Sequence, residues 1–331
     1  MPPLLVAIID RFESSIIEKI QSAIPENWAS SAISEDSIHA RKKALRNANI
    51  ALLMGAQMDD ELFKSAPELK FVQKMGAGID NIDTDYCVTS GIGVARLNSG
   101  NNIPVAEHTV MMILAATRGL IRLDKRTREG AWDKELARGI NKQVYEKTVG
   151  IIGLGAIGRR VAKILKGFDA NVIYCDSIPA PDTLEKNLEL QRVSLDQLLS
   201  QSDIITLHLP QNEETRLIID ESKISLMKKS AVFVNCARGG LVDEVALART
   251  LKNGSLFGAG LDTFSTEPPG NNPLVSLENV ILTPHCAGAT LDNFDLVAER
   301  AIGNCISFFS NKALPQSDIV HDPRDKNLLK H

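Results

Sequence analysis

The stretch KTVGIIGLGAIGRRVAKILKGFDANVIYCD, Lys147 to Asp176, decides the fold. Thr148 to Ile152 is a short apolar run rich in β-branched residues, the pattern of a buried strand. Gly153, Gly155 and Gly158 follow as G-x-G-x-x-G. Val161, Ile164, Leu165 and Phe168 then recur at helical spacing. Gly167 and residues 169–171 supply stop signals, and Val172–Tyr174 begins a second strand that ends at Asp176. The whole reads as the opening of a βαβ unit of about thirty residues with an acid at its far end.

Each part has a physical task. The first glycine permits the tight turn out of the strand. The second lets the backbone approach a pyrophosphate, and the third lets the helix pack against the strand. The helix start presents unpaired N–H groups and a positive dipole end to phosphate oxygens. Asp176, eighteen residues after Gly158, is placed to accept hydrogen bonds from an adenosine ribose. A lone G-x-G-x-x-G also fits a close-packed turn that binds nothing. Strand, helix, second strand and acid in register favour a dinucleotide site.

The remainder of the 331-residue chain sets the frame. It is 44% hydrophobic and 24% charged, an ordinary globular composition, and its length fits about two domains. The net charge of −4 and a pI near 5.9 provide no basic field for nucleic acid or anionic lipid. Aromatic residues, at 5%, are too few for base-stacking surfaces. No apolar run approaches the ~18 residues of a membrane helix. The N-terminal apolar patch lacks a cationic start and is interrupted by Asp10, Arg11 and Glu13, so it reads as a first strand rather than a signal peptide. Cys87, Cys175, Cys236, Cys286 and Cys305 are odd in number and lack metal-ligand spacing. Reduced thiols in a cytoplasmic protein follow.

Before the glycine motif, residues 4–9, 49–53 and 71–73 read as strands, with helical patterns from Ile16 and over residues 37–46. Such alternation predicts a parallel sheet with its ligand crevice beyond the strand C-termini. At the end of the third strand stands MGAGIDNID, Met75 to Asp83. Its glycines form either a backbone nest for a small carboxylate or a plain turn. Residues 103–129 hold the longest helical pattern, with Val110, Met111, Leu114, Ile121 and Leu123 on its apolar face and Gly119 as a kink or break. This helix reads as the bridge between domains. Glu107 and His108 are adjacent and point about 100° apart on a helix, so His108 is read as structural.

After the motif, strands are predicted at 148–152, 171–175, 203–207, 231–235, 257–261 and 279–282, the six of a complete dinucleotide-binding sheet. Beyond Pro284 the pattern changes. Residues 292–309 form a helix with Phe294, Val297, Ala301, Cys305 and Phe308 on one side, expected to return to the N-terminal unit. The polar tail from Asp318 is expected to fray.

Three residues stand just past predicted strands: Arg238 after AVFVNC, Glu267 after GAGLDTFST, and His285 after VILTP. A guanidinium matches a carboxylate in a rigid fork. An imidazole passes protons near neutral pH, and a carboxylate orients it. Singly, each fits a surface arginine, a loop glutamate or a structural histidine. Their shared placement on the ligand-binding edge favours chemistry.

With these residues in hand, the chain resembles the D-isomer-specific 2-hydroxyacid dehydrogenases, including phosphoglycerate dehydrogenase and glyoxylate/hydroxypyruvate reductase. The resemblance rests on MGAGIDNID, NNIPVAEHT, VGIIGLGAIGRRVA with Asp176, HLP at 208–210, NCARGGLVDE at 235–244, GLDTFSTEPP at 260–269 and TPHCAGAT at 283–290. It implies an α/β fold in which a Rossmann-type doubly wound parallel-sheet domain, 99–285, is inserted into a smaller flavodoxin-like substrate domain, 1–98 plus 286–331. It implies Arg238, Glu267 and His285 as catalytic residues, with Arg238 gripping substrate. It gives the Gly76, Ala77 and Gly78 backbone to the substrate carboxylate. The cofactor site is implied at Ala77, Gly153, Gly155, Ala156, Ile157, Gly158, Asp176, Leu209, Pro210, Cys236 and Asp262, with no metal. A homodimer is implied as well.

The implied cofactor is NAD, because the Asp176 carboxylate would repel a 2′-phosphate. Arg159 and Arg160, one helix turn away, leave NADP as an open alternative. An unphosphorylated 2-oxo acid such as glyoxylate or hydroxypyruvate is favoured. Met54 stands where 3-phosphoglycerate dehydrogenases often carry a phosphate-binding arginine. The alternatives are D-3-phosphoglycerate dehydrogenase and an NAD-sensing corepressor-like protein on the same scaffold.

Overall fold

The computed structural model describes residues 3–98 and 100–325. One unit runs to Asn101 and resumes at Thr290; the other is Asn102–Ala289. In the first unit, β1 (Leu5–Ile8), α1 (Ser14–Ala23), β2 (Ala29–Ala32), α2 (Ile38–Leu45), β3 (Ile50–Leu53), α3 (Asp60–Lys64), β4 (Phe71–Lys74), α4 (Thr84–Ser90) and β5 (Gly93–Ala95) alternate. β3 and β4 are buried at every position, as central strands covered on both faces must be. Short polar side chains start the helices: Ser37, Asp59 and Asp83 each accept an N–H of the first turn. Gly91, at φ 65°, closes α4 in the left-handed region.

The second unit begins with α5 (Asn102–Thr117), α6 (Leu120–Arg128) and α7 (Lys134–Ile140). The long helical pattern breaks at Gly119, whose φ of 54° ends one helix and starts the next. The sheet strands and helices follow: β6 (Thr148–Ile152), α8 (Ala156–Lys166), β7 (Asn171–Cys175), α9 (Asp182–Leu188), β8 (Gln191–Arg192), α10 (Leu195–Gln201), β9 (Ile204–Leu207), α11 (Glu221–Ser225), β10 (Val232–Asn235), α12 (Glu244–Lys252), β11 (Gly258–Leu261) and β12 (Val280–Leu282). Their order across the sheet is β12-β11-β10-β9-β6-β7-β8, all parallel. That is the doubly wound order, with its reversal between β6 and β9. One apolar layer covers each face: Leu198, Phe233, Leu247 and Leu261 lie in one, and Ile113, Val149, Val161 and Tyr174 in the other.

The chain then returns to the first unit as α13 (Leu291–Phe309) and β13 (Ile319–His321). α13 buries Val297, Ala301, Cys305 and Phe308 against the first sheet, as its spacing predicts. Phe308 stacks on Phe71 at 4.4 Å between centroids, over Gly93, where a Cβ would lie 2.5 Å from the Phe308 ring. The sheet order is β13-β5-β4-β3-β1-β2, a flavodoxin-like order with one antiparallel edge.

The structure departs from the sequence expectations at three places. The second sheet has a seventh strand, β8, whose two polar residues carry no apolar signal. The segment expected to fray from Asp318 instead buries that residue and forms β13 against β5; residues 326–331 lie outside the described residues. Met111, Ile121 and Phe168, expected on apolar helix faces, are 48%, 57% and 36% exposed. Met111 and Phe168 line an apolar groove of about 660 Å³ with Val110, Leu114, Leu120 and Ile164. The periodicity that marks them is therefore that of a face on the molecular surface.

Candidate active site

The turn out of β6 shows why each glycine of the motif is there. Gly153 has φ 92°, and a Cβ on it would lie 2.8 Å from the carbonyl oxygen of His208. The loops after β6 and β9 therefore meet where the strand order reverses, the crevice in which open α/β sheets bind ligands. A Cβ on Gly158 would lie 2.2 Å from the carbonyl oxygen of Gly153. Gly155 is the opposite case. It is exposed, and a Cβ there would meet nothing within 4 Å. Exposed Ala156, half-buried Ile157 and buried Gly158 follow in the first turn of α8, whose N–H groups have no partner within the helix. A cradle with open backbone and a positive helix end fits a pyrophosphate.

Asp176 follows β7 and folds back on this turn. Its carboxylate accepts the Leu154 N–H at 2.6 Å and the Ile178 N–H at 2.9 Å. Arg192 of β8 donates to the Asp176 backbone oxygen at 2.8 Å and to that of Ser177 at 3.2 Å. The sequence reading missed this cation because β8 gave no pattern. Leu209 and Pro210 lie beyond β9. Cys236 lies buried beyond β10, where burial pushes its thiol up to about 12 and keeps it neutral.

Arg238, Glu267 and His285 sit in the loops beyond β10, β11 and β12, three neighbouring parallel strands. Asn235 shapes the Arg238 turn: its Nδ2 donates to the Arg238 oxygen at 2.8 Å and its Oδ1 accepts the Ala237 N–H at 3.0 Å. Glu267 accepts the Phe264 N–H at 3.0 Å through Oε1, and its Oε2 lies 2.8 Å from Nδ1 of His285. Burial alone would raise the Glu267 carboxyl. The hydrogen bonds from His285 and Phe264, with the charges of His285 and Arg238, outweigh it and hold the group below its ordinary value. An ionised carboxylate only accepts, so Nδ1 carries the proton and Nε2 is left for exchange.

His285 itself occupies the left-handed region at φ 50°, a conformation costing on the order of 1–3 kcal/mol. Its N–H donates to the Asp262 oxygen at 2.8 Å. The fully buried Asp262 carboxylate accepts Thr283 Oγ1 at 2.6 Å and the N–H groups of Cys286 and Ala287, both at 2.9 Å. Asp262 thus ties down the turn that carries His285. His108 Nε2 lies 3.1 Å from Thr283 Oγ1 and 3.6 Å from Asp262, a structural position. His108, Asp262 and Cys286 place potential metal-ligand atoms within 4.8 Å of one another, and the Asp262 carboxylate there accepts three hydrogen bonds, two at Oδ1 and one at Oδ2.

Gly76, Ala77 and Gly78 lie in the other unit, in the loop after β4. The Gly76 oxygen accepts the Leu97 N–H at 3.1 Å, and Arg96 donates to the Ala77 oxygen at 3.3 Å. Lys74 donates to the Met54 carbonyl and, at 2.6 Å, to Asn81.

The profile of one protein family, described as D-isomer specific 2-hydroxyacid dehydrogenase, NAD binding domain, matches residues 110–287. The chain is 38% identical over 272 residues to a D-3-phosphoglycerate dehydrogenase of Methanocaldococcus jannaschii, covering 82% of this chain and 50% of that one. It is 39% identical over 261 residues to a glyoxylate reductase of Korarchaeum cryptofilum, covering 77% and 78%. It spans about half the length of the phosphoglycerate dehydrogenase and most of the glyoxylate reductase. Among solved structures, a D-lactate dehydrogenase from Aquifex aeolicus, complexed with NAD and lactic acid, superposes with a TM-score of 0.85 at 29% identity, covering 96% and 98%.

Proposed function

The chain belongs to the D-isomer-specific 2-hydroxyacid dehydrogenases, and from that premise we propose that it is an NAD-dependent oxidoreductase. It interconverts a small 2-oxo acid and its D-2-hydroxy acid, with a glyoxylate- or hydroxypyruvate-like substrate favoured. The observation that carries this reading is the His285–Glu267 pair at 2.8 Å, beyond strands of the same sheet as the open Gly155 cradle.

NAD(H), when bound, supplies or accepts the hydride. Arg238 holds the substrate carboxylate and stabilises the carbonyl oxygen as charge develops on it. His285, steadied through Nδ1 by Glu267, gives its Nε2 proton to that oxygen in reduction and takes it back in oxidation. Gly153, Gly155, Ala156, Ile157 and Gly158 take the pyrophosphate end and Asp176 the adenosine ribose. Leu209, Pro210 and Cys236 line the crevice, and Asp262 fixes its nicotinamide end.

D-3-phosphoglycerate dehydrogenase activity is the second reading, favoured by the 38% identity to the archaeal enzyme of that name and disfavoured by Met54. The test is NADH oxidation with glyoxylate, hydroxypyruvate, pyruvate, phenylpyruvate and 3-phosphohydroxypyruvate. Turnover confined to the phosphorylated acid selects the second reading. NADH binding without turnover of any of them selects a cofactor-sensing role.

The protein acts as a homodimer in the cytoplasm in this reading. Exposed Met111 and Leu120 line the apolar groove, with exposed Ile121 next to Leu120, and a second copy of the chain covers this face in the proposed dimer. All five cysteines are free, as a reducing compartment requires. No helix among the described residues is long and apolar enough to cross a membrane.

A further inference from the structure

Glu244 is a buried acid, 9% exposed, at the start of α12. Its carboxylate accepts three hydrogen bonds from a single loop. Oε1 takes the Ser265 N–H at 2.7 Å; Oε2 takes the Ser265 hydroxyl at 2.7 Å and Asn272 Nδ2 at 2.6 Å. Ser265 and Asn272 bracket Glu267, so one buried group holds the loop on both sides of it. The same loop is braced from the Arg238 side. A Cβ on Gly239 would lie 1.9 Å from the carbonyl carbon of Phe264, so the two backbones are in direct contact. Asn272 is fixed in turn, since its Oδ1 accepts the Leu274 N–H at 3.0 Å.

We propose that Glu244 is a positioning residue for the acid–base pair, fixing the 265–272 loop so that Glu267 meets His285. The inference rests on the dehydrogenase reading above. Glu244 touches neither member of the pair and acts through the loop. Displacement of a catalytic group by about 1 Å is worth roughly 10²-fold in rate, and the Glu267 carboxylate meets His285 Nδ1 at 2.8 Å and the Phe264 N–H at 3.0 Å.

The geometry also dictates the variants. Glu244→Gln must turn an NH₂ toward either the Asn272 amide or the Ser265 N–H, both donors. Adding Asn272→Asp turns one donor into an acceptor and restores the match. The measurement is NADH-dependent reduction of glyoxylate and hydroxypyruvate across pH, with thermal melting alongside. Glu244→Gln is expected to lose about tenfold or more in kcat, with the KM for NADH little changed. The acid limb of the reductive pH profile should move to higher pH as Glu267 loses the bonds that hold its carboxyl low. Glu244→Gln/Asn272→Asp should recover both. Ser265→Ala, which removes one bond of the three, should shift the limb in the same direction by less and serves if Glu244→Gln does not fold.

A folded Glu244→Gln with normal kcat, or with kcat reduced only in step with the folded fraction and an unmoved acid limb, overturns the proposal. Glu267→Gln separates the two levels. If Glu267→Gln is fully active, the acid–base reading fails and this role falls with it. If Glu267→Gln is impaired while Glu244→Gln is not, only the positioning role is overturned.

Discussion

Nδ1 of His285 lies 2.8 Å from Oε2 of Glu267, two side chains eighteen positions apart on loops beyond neighbouring strands. Each half of the pair hangs on a buried carboxylate from elsewhere: Asp262 ties the turn of His285, and Glu244 ties the loop of Glu267. In the proposed mechanism, proton transfer then depends on two supports outside the reacting pair.

His285→Ala removes the proposed proton donor and leaves the glycine cradle intact. Turnover should fall by about 10²–10⁴-fold, while NADH still binds, as read by its fluorescence. Near-normal turnover would remove His285 from the mechanism.

The Glu267 carboxyl is held below its ordinary value, so it stays ionised to lower pH than a free glutamate. The stability it contributes is present above its unfolded value and is lost as pH falls through the folded one. In the reductive direction, kcat/KM should therefore hold to lower pH than an ordinary glutamate allows. Glu267→Gln should abolish that acid limb; an unchanged profile in the variant would assign the limb to another group.

The second and third glycines of the turn separate under substitution. A Cβ on Gly158 collides with the Gly153 carbonyl oxygen at 2.2 Å, whereas one on Gly155 enters open space. Gly158→Ala should lower the melting temperature, as overpacking costs about 1–3 kcal/mol. Gly155→Ala should melt normally yet bind NADH more weakly. Equal NADH affinity for Gly155→Ala and wild type would place the pyrophosphate elsewhere.

In the proposed cofactor site, the Asp176 carboxylate and the Arg192 guanidinium would act in opposite senses on a 2′-phosphate. Asp176→Asn removes a charge that repels a 2′-phosphate and should raise the NADPH-to-NADH ratio of kcat/KM by about tenfold or more. Arg192 reaches the Asp176 backbone at 2.8 Å, so Asp176→Asn/Arg192→Ala should give back part of that gain. A ratio unaffected by either change would exclude both from cofactor selection.

The apolar groove beside α5 and α6 gives a test of assembly. Leu120→Asp or Met111→Asp alters a side chain that is 54% or 48% exposed in the single chain, so folding should survive. If the proposed homodimer forms through this face, light scattering after size-exclusion should report a dimer for the wild type and a monomer for either variant. A dimeric Leu120→Asp/Met111→Asp double variant would move the interface to another face.

Much of the second unit is legible in the chain itself. Thr148–Ile152, Val161 with Leu165, and Val232–Asn235 declare their elements through periodicity, because burial of one face dictates which positions are apolar. Gly153 and Gly158 are readable for the same local reason, since turn geometry and close packing exclude a side chain. The placement of Arg238, Glu267 and His285 at strand ends was also readable, as parallel topology puts those ends on one edge.

Other features depend on partners remote in sequence. β2, β5, β8 and β13 are short strands carrying little apolar pattern, and backbone pairing with neighbours places them. Apolar spacing marks Met111 and Ile121 without saying whether the face meets core or water; packing left them exposed. Glu244 and Arg192 looked like ordinary charged residues. Only the folded chain brings Glu244 under the 265–272 loop and Arg192 beside Asp176. Sequence determined what each segment must bury, because burial follows a local period. Tertiary structure decided which buried groups hold the reacting ones, because a hydrogen bond needs two atoms at about 3 Å, and only strand register and loop packing bring them there.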